Sequence, residues 1–308
     1  MSNLQANHNW LPYSVRNRRS RLRLLRALTQ AGYRIGGPGK VFYELVRLYY
    51  IRHPEVIWLH DFDGDLAMQV DLADHIESKT FWRGYYSMEE LMVLEKFLRP
   101  SDIFFDVGAN TGEFTLFAAK RLQSGQVYAF EPANHMYKKL SMHTERNNFS
   151  CVHLFKLALA DREGETLLYS PTINFPDGST HNGIGSLFSG RFRQSTEHQE
   201  VVRLITLDRF VQEHGVPHID LMKIDVEGAE LQVLRGAEEV IHRYLPRIII
   251  EIDQRNIQRS GYNTKDIVQF LHEMKYDLYT IRRSGSLVPF ENKKPQEWQN
   301  VLCTPRSK

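Results

Sequence analysis

From residue 103 onwards, short apolar runs alternate with stretches of helical length, and this alternation limits the fold more than any other feature of the chain. The first run, IFFDV (103–107), is apolar and is followed by a glycine turn, which is typical of a buried strand. Strands separated by helices of this length form parallel β-α-β units with right-handed crossovers. The sequence therefore predicts an α/β fold with a mostly parallel sheet. The predicted strands lie at 103–107, 126–130, within 151–159, and at 219–226, 247–252, 276–282 and 300–305.

The first 80 residues differ from the rest of the chain in charge. Residues 1–52 contain ten lysines and arginines and one acid, Glu44, so this segment has a net charge of +9 and the remainder a net charge of −7. A helix is predicted over 14–31, and 41–51 is apolar on nearly all sides. We predict a basic N-terminal helical extension over 1–80 and an α/β domain over 81–308. The other predicted helices lie at 87–98, 113–122, 135–147, 229–243 and 264–275, with a short helix within 204–215.

Residues 161–203 interrupt the alternation. This stretch is rich in glycine, serine, threonine and asparagine, and its ends have the composition of strands. Loops of this length inside a compact domain are usually functional or mobile. We predict an inserted loop or hairpin here, in the form of a strand–loop–strand excursion from the domain.

The turn after the first predicted strand has the spacing of a nucleoside site rather than a dinucleotide site. It begins with Asp106 and places Gly108, Asn110 and Gly112 ahead of the next helix. A dinucleotide turn reads Gly-x-Gly-x-x-Gly and holds a pyrophosphate at the helix N-terminus, and an acid beside it would repel that group. Asp106 instead suits a ligand with an ammonium group, such as the methionine part of S-adenosylmethionine.

Two further strand ends extend this predicted site. Glu131 follows the second predicted strand, where an acid can accept hydrogen bonds from both hydroxyls of a ribose. The third predicted strand ends near Ala158, where an adenine edge could meet backbone groups. A glycine-rich turn alone, or one acid before a turn, indicates little. Together, at the ends of three successive strands, these groups predict a site for S-adenosylmethionine.

These motifs resemble the FkbM-type methyltransferase family over roughly residues 80–303, and KIDVEGAE (223–230) is the most specific of them. The resemblance implies a class I methyltransferase fold, which is Rossmann-like with a mostly parallel seven-stranded sheet. It also implies S-adenosylmethionine-dependent O-methylation of a hydroxyl on a sugar, glycan or secondary metabolite. By position it assigns cofactor binding to Asp106, Gly108, Asn110, Gly112 and Glu131. The other matching stretches are FFDVGANTGEFTLFAAK (104–120), VYAFEP (127–132), LALADREGE (157–165), TLDRF (206–210) and PRIIIEI (246–252).

Three acids match the family's positions on the acceptor side. Asp225 and Glu227 follow the fourth strand of the parallel series, and Glu251 ends the fifth. A hydroxyl acceptor must lose its proton, and a well-placed base contributes about 10²–10⁴-fold to such a step. The acids could supply that base or bind a divalent metal, although a metal is not predicted. Alternatively, Asp225 or Glu227 contacts the methionine ammonium or caps a helix. His181, in the 161–203 insertion, is the other candidate base.

Two other functions fit the same residues. One is a different nucleoside-dependent α/β transferase, and the other is a non-catalytic methyltransferase-like protein that docks through its basic arm. The presence of Asp106, Gly108, Gly112 and Glu131 together favours a working methyltransferase.

The chain is expected to be cytoplasmic. It has two cysteines without the spacing of a metal site, and no apolar run approaches the ~20 residues of a membrane span. Residues 14–52 are expected either to pack against the protein or to meet an anionic membrane surface at the inner membrane face. Nucleic acid is not an expected partner because no aromatic pattern accompanies the arginines, and the sequence gives no oligomeric state.

Overall fold

The computed structural model describes residues 13–171, 173–174, 179–181, 185–188, 197–291 and 298–306. The chain divides into two compact units. The described part of the first unit lies within residues 1–57, 70–86 and 176–179, and that of the second within 58–69, 87–175 and 180–308. The predicted boundary between residues 80 and 81 lies inside the helix His75–Arg83. The division into an extension over 1–80 and a domain over 81–308 stays a prediction.

Three helices form the first unit: α1 (Tyr13–Ile35), α2 (Pro38–Arg52) and, after the hairpin of strands β1 (Val56–Phe62) and β2 (Leu66–Asp71), α3 (His75–Arg83). α1 extends beyond the predicted helix at both ends. α1 and α2 form a close helical pair because neither Gly32 nor Gly39 has a side chain: a Cβ on Gly39 would lie 2.1 Å from the carbonyl oxygen of Gly32. The carboxylate of Asp74 starts α3 by accepting the backbone N–H groups of Ile76 and Glu77.

The second unit contains most of the β1–β2 hairpin and all the helices and strands that follow α3. Its helices are α4 (Met88–Phe97), α5 (Glu113–Arg121), α6 (Asn134–Arg146), α7 (Leu207–His214), α8 (Glu230–Arg235), α9 (Glu238–Tyr244), α10 (Gln254–Arg259) and α11 (Thr264–Glu273). Its strands are β3 (Ile103–Val107), β4 (Gln126–Phe130), β5 (Val152–Phe155), β6 (Ala158–Leu159), β7 (Gly164–Pro171), β8 (Ile173–Asn174), β9 (Thr180–His181), β10 (Glu197–Ile205), β11 (Leu221–Ile224), β12 (Arg247–Asp253), β13 (Tyr276–Ile281), β14 (Leu287–Pro289) and β15 (Trp298–Pro305).

An eight-stranded sheet in the order β14-β13-β15-β12-β11-β3-β4-β5 organises this unit. The strands from β12 to β5 are parallel, whereas β15, β13 and β14 pair antiparallel. The predicted α/β class I methyltransferase fold is confirmed. The sheet has eight strands, one more than the seven expected. The extra strand, β14, pairs antiparallel with β13. It was not predicted because its three residues are too few to show a periodic pattern.

Two predicted elements are divided in the structure. Within 151–159, only β5 joins the main sheet, whereas β6 pairs with β10 in a three-stranded sheet whose third strand is β7. The single helix expected over 229–243 is two helices that meet at Gly236, where a Cβ would lie 1.9 Å from the carbonyl oxygen of Ala160. The carboxylate of Asp208 then accepts the backbone N–H groups of Glu239 and Val240, which starts α9 anew.

In the second unit, apolar side chains pack against both faces of the parallel part of the sheet. Fully buried members come from neighbouring strands and from the helices that cover them. Within the described ranges, none of the helices is both long and apolar enough to cross a membrane. Representative core residues are Phe105, Val107, Phe210, Met222, Ile224, Leu231, Val233, Ile248, Ile250 and Ile267.

Candidate active site

The carboxyl ends of four parallel strands bring the predicted acids to one edge of the sheet. β12, β11, β3 and β4 are neighbours in that order, and all four run in the same direction. Asp106 lies near the end of β3 and Glu131 just after β4, while Asp225 follows β11 and Glu251 lies near the end of β12. In open α/β sheets this edge is where ligands bind.

Two glycines shape the turn after β3. Gly108 has φ +83°, and a Cβ there would lie 1.9 Å from the carbonyl oxygen of Asp225. Gly112 precedes α5 with φ +96°, and a Cβ there would lie 2.5 Å from Cδ1 of Leu140. Both positions need glycine because of neighbouring protein atoms and because side chains rarely adopt a positive φ.

Asp106 is a fully buried carboxylate with one unused oxygen. Oδ2 accepts a hydrogen bond from Oγ1 of Thr115 at 2.6 Å, whereas Oδ1 has no hydrogen-bond partner among the residues that the structure describes. Burial raises the pKa of Asp106, and the charge of Lys223 opposes that rise. A buried acceptor without a donor is costly for the protein alone, and an ammonium group would satisfy it.

Glu131 is held rigidly beside this turn. Its Oε2 accepts the backbone N–H of Asn110 at 2.8 Å and its Oε1 accepts that of Ala133 at 2.9 Å. Burial raises the pKa of Glu131 to about 7, while the two backbone hydrogen bonds oppose the rise. Asn110 has φ +52°, so the turn directs its N–H towards the carboxylate. Each oxygen of Glu131 retains capacity for one further hydrogen bond.

Ala158 lies in β6, and not in the main sheet as the sequence predicts. It pairs with Leu204 of β10, and its side chain is buried. The edge of adenine remains a predicted partner for the backbone near this residue.

Lys223 is a buried residue of this edge that sequence reasoning missed. It lies opposite Asp106 in the β3–β11 register, and its Nζ is 2.9 Å from Oδ2 of Asp225 and 4.6 Å from the ring centre of Phe114. Burial alone would lower the pKa of Lys223, but Asp225 and Asp106 raise it above its ordinary value. The signal was visible in the sequence as one lysine in the apolar strand LMKI, because lysine is almost never buried without a partner.

Glu227 directs its side chain towards α10. Its Oε2 accepts a hydrogen bond from Nδ2 of Asn256 at 2.8 Å, and its carbonyl oxygen accepts one from Oγ of Ser186 at 3.1 Å. Glu230, which the sequence analysis did not single out, is buried and accepts the N–H of Gly228 at 3.0 Å. Burial raises the pKa of Glu230 to about 7.

Glu251 faces the other acids and is fixed by a tryptophan. Nε1 of Trp298 on β15 donates a hydrogen bond to Oε1 of Glu251. Burial, followed by the charges of Asp225 and Glu227, raises the pKa of Glu251 well above its ordinary value. Trp298 was missed because its partner lies 47 positions away along the chain and is brought near only by antiparallel pairing.

His181 belongs to β9, but its side chain lies outside the described residues. In the ranges that the structure describes, no three His, Cys, Asp or Glu residues are grouped so as to hold a metal ion.

Comparison with known proteins assigns the chain to a family. The model of a family described as the methyltransferase FkbM domain matches residues 106–278, which is more than half of the chain. Hexuronic acid methyltransferase AglP of Haloferax volcanii is 27% identical over 193 residues, covering 63% of this chain and 70% of AglP.

Two further relatives differ in length. The 31-O-demethyl-FK506 methyltransferase FkbM of Streptomyces tacrolimicus is 28% identical over 176 residues, covering 50% of this chain and 66% of that protein. AMB antimetabolite synthetase AmbE of Pseudomonas aeruginosa is 28% identical over 225 residues, covering 63% of this chain and 10% of AmbE. The chain therefore spans a tenth of AmbE and about two thirds of the other two.

Proposed function

The chain belongs to the FkbM methyltransferase family, and on that premise we propose that it transfers the methyl group of S-adenosylmethionine to a hydroxyl oxygen of a sugar, glycan or secondary metabolite. The observation that supports this most is the meeting of four acidic strand ends at one sheet edge, with the unused oxygen of Asp106 among them. The names of two relatives, a hexuronic acid methyltransferase and a 31-O-demethyl-FK506 methyltransferase, support a hydroxylated acceptor.

The residues at this edge fit the methyl donor. Oδ1 of Asp106 offers a hydrogen-bond acceptor to the ammonium group of the methionine part. The carboxylate of Glu131 is oriented by two backbone N–H groups and can accept two ribose hydroxyls. When bound, S-adenosylmethionine supplies an electrophilic methyl group with a good leaving group, so orientation of the acceptor can provide most of the rate increase.

Glu251 is our candidate for the general base on the acceptor side. In its ionised form it would take the proton of the acceptor hydroxyl. A carboxylate whose pKa is raised well above its ordinary value is a stronger base than an ordinary glutamate. The Trp298 N–H fixes Oε1, which leaves Oε2 to face the hydroxyl.

Asp225 is the alternative base, and Lys223 restrains its carboxylate. Glu227 is assigned a structural role, because Asn256 binds its side chain. His181 remains a third candidate. The proposed reaction needs no divalent metal, so chelation of free metal should leave turnover unchanged, and dependence on added Mg²⁺ would contradict this part of the proposal.

Isothermal titration of the purified protein tests the donor. We expect heat from S-adenosylmethionine and S-adenosylhomocysteine and none from NAD. Asp106→Asn should weaken binding of both sulfur compounds because the amide cannot pair with an ammonium charge. Transfer of a labelled methyl group to uronic acids, neutral sugars and polyketides would then identify the acceptor class. Folded protein that binds neither sulfur compound would overturn the proposal.

We further propose a cytoplasmic location, with residues 14–52 available to an anionic membrane surface at the inner membrane face. The acceptor is a small molecule or glycan, and nucleic acid is not proposed.

A further inference from the structure

The helical pair α1–α2 exposes an unusual amount of apolar surface. In the part of the chain that the structure describes, thirteen large hydrophobic side chains are exposed, and seven of them lie between residues 24 and 49. Ile35 is the most exposed, at 84%. Scattered exposed hydrophobics are normal in a protein, but a contiguous group marks an interaction surface. We call this group the hairpin face: Leu24, Leu28, Ile35, Val41, Phe42, Leu45 and Tyr49.

The seven side chains lie on one side of the pair. The buried side of α1 meets α3 through Arg26, whose Nε donates to the carbonyl oxygen of Phe81 at 2.7 Å. The buried side of α2 also meets α3, where the rings of Tyr50 and Trp82 are 5.1 Å apart. On α1 the exposed apolar residues lie opposite Arg26 at helical spacing, and on α2 they lie opposite the buried side chains of that helix, Tyr43, Arg47 and Ile51. Both apolar strips therefore face away from α3.

The hairpin face lies within the most basic segment of the chain. Residues 1–52 have a net charge of +9 with Glu44 as the one acid. Arg23, Lys40 and Arg52 are exposed on the same two helices. Apolar side chains surrounded by exposed cations are typical of helices that lie in the interface of an anionic bilayer.

We propose that the hairpin face docks on an anionic lipid bilayer, with its apolar side chains in the headgroup region and the neighbouring exposed cations, Arg23, Lys40 and Arg52, against lipid phosphates. This inference concerns the first unit alone and does not depend on the identity of the methyl acceptor. The membrane is bound at its surface, since none of the helices described is able to cross it.

Charge selects the bilayer over a second copy of this chain. Two copies that met through this face would bring two segments of +9 together, with one acid in each to compensate. Like charges at an interface oppose association, whereas an anionic surface attracts each exposed basic residue.

Vesicle flotation tests the proposal with the full chain. We expect the protein to float with vesicles of phosphatidylcholine and phosphatidylglycerol at low salt, to be released at high salt, and to stay behind with phosphatidylcholine alone. The double variant Leu28→Asp and Leu45→Asp should lower binding more than about tenfold. Arg23→Glu with Lys40→Glu should lower it at least about fivefold for each position.

Matched controls carry the same changes elsewhere. Val201→Asp with Leu245→Asp alters two exposed hydrophobics of the second unit, and Arg235→Glu with Lys265→Glu alters two exposed cations. Both controls should float as the unaltered protein does. If Leu28→Asp with Leu45→Asp fails to fold, Arg23→Glu with Lys40→Glu still tests the electrostatic attraction.

Three results would overturn the proposal. They are no flotation with anionic vesicles, flotation that the hairpin-face variants leave unchanged, and a dimer in light scattering that Leu28→Asp with Leu45→Asp converts to a monomer. The first two contradict lipid binding at this face, and the third assigns the face to a second copy. Binding of S-adenosylhomocysteine, measured separately, reports on the methyltransferase proposal and should be unchanged in every variant.

Discussion

At the scale of a single residue, the raised pKa of Glu131 is expected to set the pH dependence of methyl-donor binding. Burial raises that pKa to about 7, and only the ionised carboxylate can accept two ribose hydroxyls. Affinity for S-adenosylhomocysteine should therefore increase as the pH rises through about 7, by up to about tenfold per pH unit below the pKa. Isothermal titration across this range measures the effect.

Glu131→Gln provides the control for that pH profile. Glutamine keeps the size of the side chain but cannot ionise, so its profile should be flat. Its affinity at high pH should be about tenfold to a hundredfold below that of the unaltered protein, since a hydrogen bond to a charged group is worth about 1.5–3 kcal/mol. If the affinity of the unaltered protein did not depend on pH, Glu131 would not be the residue that binds the ribose.

Glu251 is expected to govern the rate rather than donor affinity. Glu251→Gln should lower kcat by about 10²–10⁴-fold while leaving affinity for S-adenosylhomocysteine within about twofold. In the unaltered protein, kcat should rise with pH through the raised pKa of Glu251.

Trp298→Phe removes the N–H that lowers this pKa, so the same rise should move to higher pH. A Glu251→Gln enzyme of normal rate, with Asp225→Asn inactive, would transfer the role of base to Asp225.

At the scale of elements, Gly236 separates α8 from α9 for a steric reason. Its φ is −75°, which alanine adopts freely, yet a Cβ would lie 1.9 Å from the carbonyl oxygen of Ala160. Gly236→Ala should destabilise the protein by about 1–3 kcal/mol through overpacking, as measured by urea unfolding.

Gly215→Ala is the matched comparison for this substitution. Gly215 has φ +60° but open space around it, so alanine there incurs conformational strain alone. Equal losses from the two substitutions would show that the contact with Ala160 relaxes.

Elements with a local signal could be predicted from the sequence. Of the five parallel strands, β3, β4, β11 and β12 are largely buried and appear as continuous apolar runs, so the sequence predicts their bounds within two residues. The break at Gly236 and the separate pairing of β6 were missed, since both depend on Ala160 and β10, which are distant in sequence. Sequence periodicity carries no information about such contacts.

The same distinction applies to the site. Asp106, Glu131, Asp225 and Glu251 were predicted because each lies at a strand end, and parallel strand ends meet in space. The partners of these acids were not predicted: Trp298 reaches Glu251 only through strand pairing, and Lys223 looked like one charge in an apolar run. The family resemblance is confirmed by the match over residues 106–278, whereas the roles of individual residues stay predictions.

For the molecule as a whole, buried carboxyl groups should make the protein progressively less stable as the pH rises from about 4.5 through about 7. Burial raises the pKa values of Glu90, Glu131 and Glu230 to about 7, so the stability that their protonated forms contribute is present at low pH and is lost as the pH rises through about 7. Burial lowers the pKa of His143 to about 4, which acts in the opposite direction but only below about 6.5.

Between pH of about 6.5 and about 8, the three carboxyl groups together should cost roughly 2 kcal/mol, or roughly 5 °C in Tm. Thermal unfolding of the ligand-free protein measures this change. Glu230→Gln should remove about a third of it, because the amide still accepts the Gly228 N–H but does not ionise. A Tm that rises over the same interval would mean that these carboxyl groups are solvated.

The glycine at position 108 has a consequence for enzyme engineering. The carbonyl oxygen of Asp225 occupies the space that a Cβ would need, and the N–H of Asp225 donates to the carbonyl oxygen of Val107 at 3.0 Å. The turn at Gly108 and the backbone of Asp225 are therefore in direct contact, and neither can move without the other. Changes in the spacing between these two segments are therefore not tolerated. Most variants from a mutant library that randomises residues 106–112 or 223–228 should be inactive.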